Sequence, residues 1–180
     1  DHWAELGNRG WSYDDVLPVF KRSEHYEDGE NAFHGTGGKL NIANLRYNHP
    51  VSNAFVRAGV EAGHPETDDF NNDVQEGVGL YKVNQKDGER CGVSRAYLHP
   101  AMDRPNLTVL TNCLANRILF EGKRAVGVEV EHNGQIRTLK AANEVILSGG
   151  AINSPQVLKL SGVGPAAELA EHNIPLVHDL

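Results

Sequence analysis

Residue types with chemical potential are most concentrated near the carboxy-terminal third of the chain. There Glu144-Val145-Ile146-Leu147, an apolar run of the kind found in a buried parallel strand, meets Ser148-Gly149-Gly150 and then Ala151-Ile152-Asn153-Ser154-Pro155. No side chain blocks Gly149 or Gly150, so a ligand could approach the backbone closely. Free N–H groups at the start of the following helix favour an anion such as a pyrophosphate. Ser154 is expected to cap that helix, with Pro155 as its first residue and Gly162 as its stop. On these residues alone, a tight strand-to-helix turn with no ligand is the simpler reading. Gly162-Val163-Gly164-Pro165-Ala166-Ala167 forms a loose G-x-G-x-x-A string, but a helix precedes it where a dinucleotide loop requires a strand.

The other candidates are weaker. Folding could gather His25 with His34, or His64 with Asp68 and Asp69, yet neither set has the paired spacing of a zinc helix or loop, so no metal is expected. His34 and His99 read as structural. Cys91 and Cys113 are too few for a disulfide framework and too far apart for a thiolate metal site, which suggests free thiols in a reducing cytoplasm. Asn106-Leu107-Thr108 is formally a glycosylation sequon, but it opens an expected strand and is read as unmodified.

The elements that must position these groups follow from local pattern. Ser12 and two aspartates precede helical spacing of Val16, Leu17 and Phe20, predicting a helix over 13–23 despite Pro18. A glycine-rich loop through His34-Gly35-Thr36-Gly37-Gly38 leads into a strand over 39–43. Pro50 to Gly63 predicts a helix packing Val51, Ala54, Phe55, Ala58 and Ala62 on that sheet. Residues 68–90 read as loop and irregular strand, and 94–102 as a short helix. Four strands are expected over 107–111, 117–120, 125–130 and 135–139, the last two joined by the Asn133-Gly134 hairpin signal. A helix from Pro165 through Glu171 and a strand over 174–180 complete the chain.

Composition sets the class. A chain of 180 residues, 39% hydrophobic and 23% charged, is long enough for a compact domain and too apolar for disorder. The net charge of −7 argues against nucleic acid or an anionic membrane as principal partner, since both are held by clustered Lys and Arg, and leaves a small molecule. No apolar run approaches the roughly 20 residues that span a bilayer. The chain opens on Asp1-His2-Trp3 and closes on Val177-His178-Asp179-Leu180, both expected to be interior to a longer sequence.

Residues Gly150 to Gly164, with Ser154-Pro155, the paired aliphatics Val157-Leu158 and Ser161-Gly162-Val163-Gly164, resemble the second signature of the glucose–methanol–choline oxidoreductases. Gly10 to Glu24, His34 to Gly38, Asp69-Phe70-Asn71, Gln75 to Gly79, Ala96 to Ala101 and Arg104 to Val109 are similar to interior segments of that family, so nearly the whole chain is covered. The wording is most similar to choline dehydrogenase-like and medium-chain alcohol dehydrogenases. The resemblance implies an α/β fold with mixed α+β character, a fragment of a two-domain FAD-dependent oxidoreductase. Residues 1–100 would lie mostly on the substrate side, and residues 101–180 would supply a β-meander and a strand–turn–helix to a discontinuous FAD-binding domain.

It also implies the chemistry. Hydride would pass from a primary alcohol to the flavin and then to an electron acceptor other than nicotinamide, in a cytoplasmic or, through that acceptor, membrane-associated enzyme. The implied FAD contacts are Ala115, Ser148, Gly149, Gly150 and Asn153. Ala115 stands three residues before Ile118, where the family usually has a valine whose backbone meets the adenine, and Gly149 stands where the family usually has alanine. No segment matches the family's G-x-G-x-x-G fingerprint, and none of the nine histidines stands in the context of its catalytic base, so no catalytic residue is assigned. The competing reading is a non-catalytic binding or structural module that keeps the fold without the chemistry. For the chain alone, unpaired strand edges predict poor folding or oligomerisation.

Overall fold

The computed structural model describes residues 1–180, which divide into two compact units, Asp1–Thr108 and Val109–Leu180.

The first unit begins with a single helical turn, α1 (His2–Glu5), and the helix α2 (Tyr13–Ser23). α2 starts as its sequence dictates. Ser12 Oγ accepts from the Asp15 N–H, and the Asp15 carboxylate accepts from the Ser12 N–H, a reciprocal cap that satisfies two orphan donors. Strand β1 (Glu24–Tyr26) follows directly and pairs in parallel with β2 (Leu40–Ile42). The glycine-rich connection passes so close to the end of α2 that a Cβ on Gly35 would collide with the Lys21 carbonyl, and one on Gly38 with the Glu24 carbonyl. Only glycine allows this approach.

Helix α3 (Pro50–Glu61) has Pro50 at its first position, and the His49 ring accepts from the Val51 N–H. Its packing differs from expectation. Asn53, Val56 and Gly59 face inward, with Gly59 set against Val78, whereas Val51 and Phe55 point to solvent, Phe55 being 72% exposed. Periodicity marked an apolar stripe, but the close approach that a glycine permits chose the buried face. β3 (Gln85–Lys86) and β4 (Glu89–Arg90) form a small hairpin whose Asp87-Gly88 turn has positive φ at both residues. The helix expected over 94–102 is instead a π-helical turn (Ser94–Leu98) followed by a 3₁₀ turn (His99–Ala101). Pro100 has no N–H to close an α-helical bond to Ala96.

The second unit is an antiparallel meander, β5 (Cys113–Glu121), β6 (Arg124–His132) and β7 (Gln135–Lys140), in that spatial order. Asn133 and Gly134 both take positive φ, as their hairpin signal requires. Two expected strands do not pair. Residues 107–111 remain irregular, and the chain turns at Asn112 (φ 51°) before β5 begins. Glu144–Leu147 runs extended with no ladder partner and with Ile146 77% exposed, because no other strand of the chain lies beside it. The strand of the expected strand–turn–helix is thus an unpaired extended segment. Residues 174–180 likewise make one bridge only, His178 to Val163.

Helix α4 (Gly150–Leu160) starts earlier than Ser154-Pro155 suggested, and Pro155 lies inside it. Ser154 Oγ accepts the Gly149 N–H at 2.9 Å, so the serine fastens the turn before the helix and does not itself end a loop. α5 (Ala166–Glu171) follows Pro165, and Asp179 accepts from its first N–H. The core of this unit is small: Ile118, Val130, Val157 and Leu169, with Ser161 the one buried polar residue among them.

Ser161 joins the layers. β5 is an edge strand, so the outward N–H of Ile118 has no neighbouring strand to accept it. Ser161 Oγ accepts that N–H at 2.8 Å and donates to the Val157 carbonyl at 2.5 Å, tying the last turn of α4 to β5. Ser161→Ala would leave the Ile118 N–H buried and unpaired. It is expected to cost about 1–3 kcal/mol, read as a lowered urea midpoint with an unchanged slope.

Candidate functional site

Two regions of the second unit carry exposed backbone. The first is in β5, where Ala115 pairs with Val130 and Arg117 with Glu129, leaving Asn116 as an extra residue in a β-bulge. Bulges bend a strand and redirect its groups, and they recur beside binding sites. Arg117 Nη2 donates to Glu129 Oε2 at 2.8 Å, fixing the register immediately after the bulge. That bond, with a lesser one from Asn116, holds the Glu129 carboxyl below the usual carboxylate range against the opposing effect of burial, and it raises Arg117. Ala115 itself is exposed, with only a methyl group between its backbone and whatever lies above it.

The second region is the turn into α4. Ser148, Gly149, Gly150 and Asn153 are all exposed. Gly150 has φ +87°, and a Cβ there would meet no atom within 4 Å, so the position is bare of side chain and in the left-handed conformation. Gly149 has φ −79°, and a Cβ on it would come within 3.3 Å of Asn153 Cβ and 3.4 Å of Ser154 Oγ. The first N–H groups of α4 have no carbonyl partner in the helix, and the helix is long enough for its dipole to favour an anion at this end. Ile152, 82% exposed, offers an apolar side chain beside them.

The structure joins these regions through α4. Ser161 at its far end is bonded to Ile118, three residues from Ala115, while the glycine turn lies about 16 Å away along the helix at 1.5 Å per residue. Ser148, Gly149, Gly150 and Asn153 therefore form one cluster and Ala115 a second locus. Sequence reasoning missed the Asn116 bulge, which has no signature in residue type. It also treated Ser161 only as part of a motif; the signal available was a small hydroxyl residue following the apolar turn of α4.

The remaining candidates resolve simply. His34 and Asp69 do come together, as part of a buried cluster of hydrogen-bonded side chains within the first unit. Both cysteines are free thiols, and no three His, Cys, Asp or Glu side chains gather in a metal-binding arrangement. No helix is long and apolar enough to cross a membrane. The two glycines of the turn should differ on substitution: Gly150→Ala is expected to lose about 1–2 kcal/mol through its positive φ. Gly149→Ala should change stability by less than half of that, both read from denaturant unfolding.

The sequence pattern described as GMC oxidoreductase matches residues 1–177. The chain is 48% identical over 179 residues to an oxygen-dependent choline dehydrogenase of Brucella anthropi, covering 99% of this chain and 32% of that protein. It is 45% identical to the protein of the same description from Sinorhizobium fredii, with the same coverage. Among solved structures it resembles pyridoxine 4-oxidase from Mesorbium loti, with TM-score 0.85 and 32% identity over 96% of this chain and 34% of that one. An FAD-dependent oxidoreductase from Chaetomium thermophilum gives TM-score 0.86 and 29% identity over 99% of this chain and 33% of that one. The chain thus spans about a third of the length of the relatives it matches, and it belongs to the GMC oxidoreductase family.

Proposed function

We propose that this chain is part of an FAD-dependent oxidoreductase acting on the CH–OH group of a primary alcohol, choline-like or medium-chain. In this reading the second unit supplies part of the cofactor cradle and the first unit lies mostly on the substrate side. The observation that carries it is the pairing of a bulged edge strand with a bare glycine turn at a helix N-terminus, both tied to one helix, in a chain of this family. The backbone of Ala115 would meet the adenine. Ser148, Gly149, Gly150 and the first turn of α4 with Asn153 would face an anionic part of FAD. The bound flavin would supply the hydride acceptor.

The chain's own part is binding and orientation. The Gly149 N–H is taken by Ser154, and the N–H groups from Gly150 into the first turn of α4 are the ones that would donate to anionic oxygens, while the β5 backbone offers donor and acceptor together. None of its histidines is proposed as the base. His34 is held by two carboxylates, His25 accepts from the Gly37 N–H, His49 caps α3 and His99 meets Ser94. The exposed apolar side chains Phe55, Ile146 and Ile152 would be covered by the remainder of the enzyme. An electron acceptor completes turnover, and the free thiols Cys91 and Cys113 fit a cytoplasmic setting.

Asn153→Asp separates a cofactor role from a structural one. A carboxylate in the first turn of α4 should hold stability level or raise it by about 0.3–1 kcal/mol, yet it should repel an anionic ligand. Flavin absorbance of the intact protein titrated with FAD should show affinity reduced about tenfold, with alcohol-dependent bleaching in the wild type. Unchanged FAD affinity in the variant, or a wild type that binds no flavin, would overturn the assignment.

A further inference from the structure

Within the first unit, three ionisable side chains are buried together away from the proposed cofactor contacts. His34 Nδ1 lies 3.0 Å from Glu24 Oε1, and His34 Nε2 lies 2.8 Å from Asp69 Oδ2. The side chains are 6%, 14% and 10% exposed, respectively, for His34, Glu24 and Asp69. The Tyr26 ring stacks on the imidazole at 4.0 Å and 14°. Burying such groups is costly unless each is paired, and here the pairs cross between segments remote in sequence. Glu24 belongs to β1 and also accepts the Gly35 N–H. Asp69 belongs to the 67–75 segment, where its other oxygen accepts the Asn71 N–H and its backbone exchanges hydrogen bonds with Thr67.

Hydrogen-bond arithmetic fixes what the ring must carry. Ionised carboxylates only accept, so an imidazole that contacts one with each nitrogen makes two hydrogen bonds only if both nitrogens hold protons. Remove one proton and one of the two contacts sets lone pair against lone pair in a low-dielectric site. The segment held by Asp69 also lines a cavity of about 410 Å³, to which Asn71 and Gln75 contribute together with Leu17 and Phe20 of α2, Phe33 and Ile42.

We propose that Glu24, His34 and Asp69 form a proton-holding latch: a doubly protonated His34 fastens the Thr67–Gln75 segment to β1 and so closes one wall of this cavity. The latch is shut while both ring nitrogens hold protons and opens when one of them is lost. The charged and titratable groups around it are Glu24 and Tyr26 on β1, Asp68, Asp69 and Asp73 on the segment itself, Lys82 and Asp28 beyond Tyr26, and Lys21 and Glu30 beside the 31–34 loop. Burial, then the Asp69 carboxylate, raise the Tyr26 phenol, keeping it neutral through this range. Burial works against the Lys82 charge, but its bond to Asp28 and the neighbouring Tyr26 raise it, so that Lys82 keeps its charge through this range. This inference does not depend on the FAD assignment.

Amide hydrogen exchange of the intact protein, corrected for intrinsic rates, reads the latch directly. Protection of Thr67–Gln75 should fall about tenfold while α2 stays level, between about pH 6 and about pH 9. In Asp69→Asn, protection of the segment should be low already at the acid end and independent of pH. Nitrogen NMR of the His34 ring should show two protonated nitrogens at the acid end. Level wild-type protection across the range, pH dependence surviving in Asp69→Asn, or a singly protonated ring throughout would each overturn the proposal. Should Asp69→Asn fail to fold, Glu24→Gln, which keeps an acceptor for the Gly35 N–H, is read by the same criteria.

Discussion

The second unit depends on a single hydroxyl. An edge strand must do something with its outward N–H groups, and a helix must end with carbonyls that its own turns cannot satisfy. Ser161 Oγ answers the first of these in a buried setting, accepting from Ile118, and it adds a second donor to the Val157 carbonyl, which already accepts from the Ser161 N–H. The next residue continues the constraint. Gly162 takes φ +86°, a Cβ there would collide with the Pro175 carbonyl, and its own carbonyl accepts from Val177 and His178. Serine followed by glycine therefore fixes where helix, meander and the last segment meet. The glycine turn at the far end of α4 inherits its direction from that junction.

The resulting unit positions backbone more than side chains. Its core holds few large residues, and its candidate contacts, Ala115, Gly149 and Gly150, contribute almost no side-chain atoms. A site of this kind gains specificity from the direction of N–H and C=O groups, which is why register matters. The Asn116 bulge and the Arg117–Glu129 pair set that direction in β5, and the Ser154 bond to the Gly149 N–H sets it in the turn. In the first unit, buried hydrogen-bonded side chains accompany a small apolar core. Buried Tyr26, His34, Asn41 and Asp69 hold β1, β2 and the 67–75 segment together, with Asn41 donating to Glu27 and to the Gln85 carbonyl.

Sequence pattern was informative where local chemistry decides the outcome. The Ser12–Asp15 cap, the Asn133-Gly134 turn and the Pro50 helix start all formed as their residue types require. It misled where tertiary supply decides. Glu144–Leu147 reads as a buried strand, but a strand needs a neighbour to pair with, and none of the chain's own strands lies beside it. The α3 stripe reads as inward-facing, but Gly59 against Val78 governs the contact. At the candidate site, the glycines were visible from their position before a helix. The bulge at Asn116 and the partnership of His34 with Glu24 and Asp69 depend on register and on long-range packing, which residue type alone does not encode.

The central claim is that the β5 bulge and the turn before α4 are two ends of one cofactor contact. A structure of the intact protein with FAD bound tests it most directly. The account predicts hydrogen bonds from the Ala115 backbone to the adenine and from the Gly149–Gly150 turn or the first turn of α4 to an anionic group of the same molecule. An FAD whose adenine lies away from β5, with the glycine turn facing only protein, would contradict it.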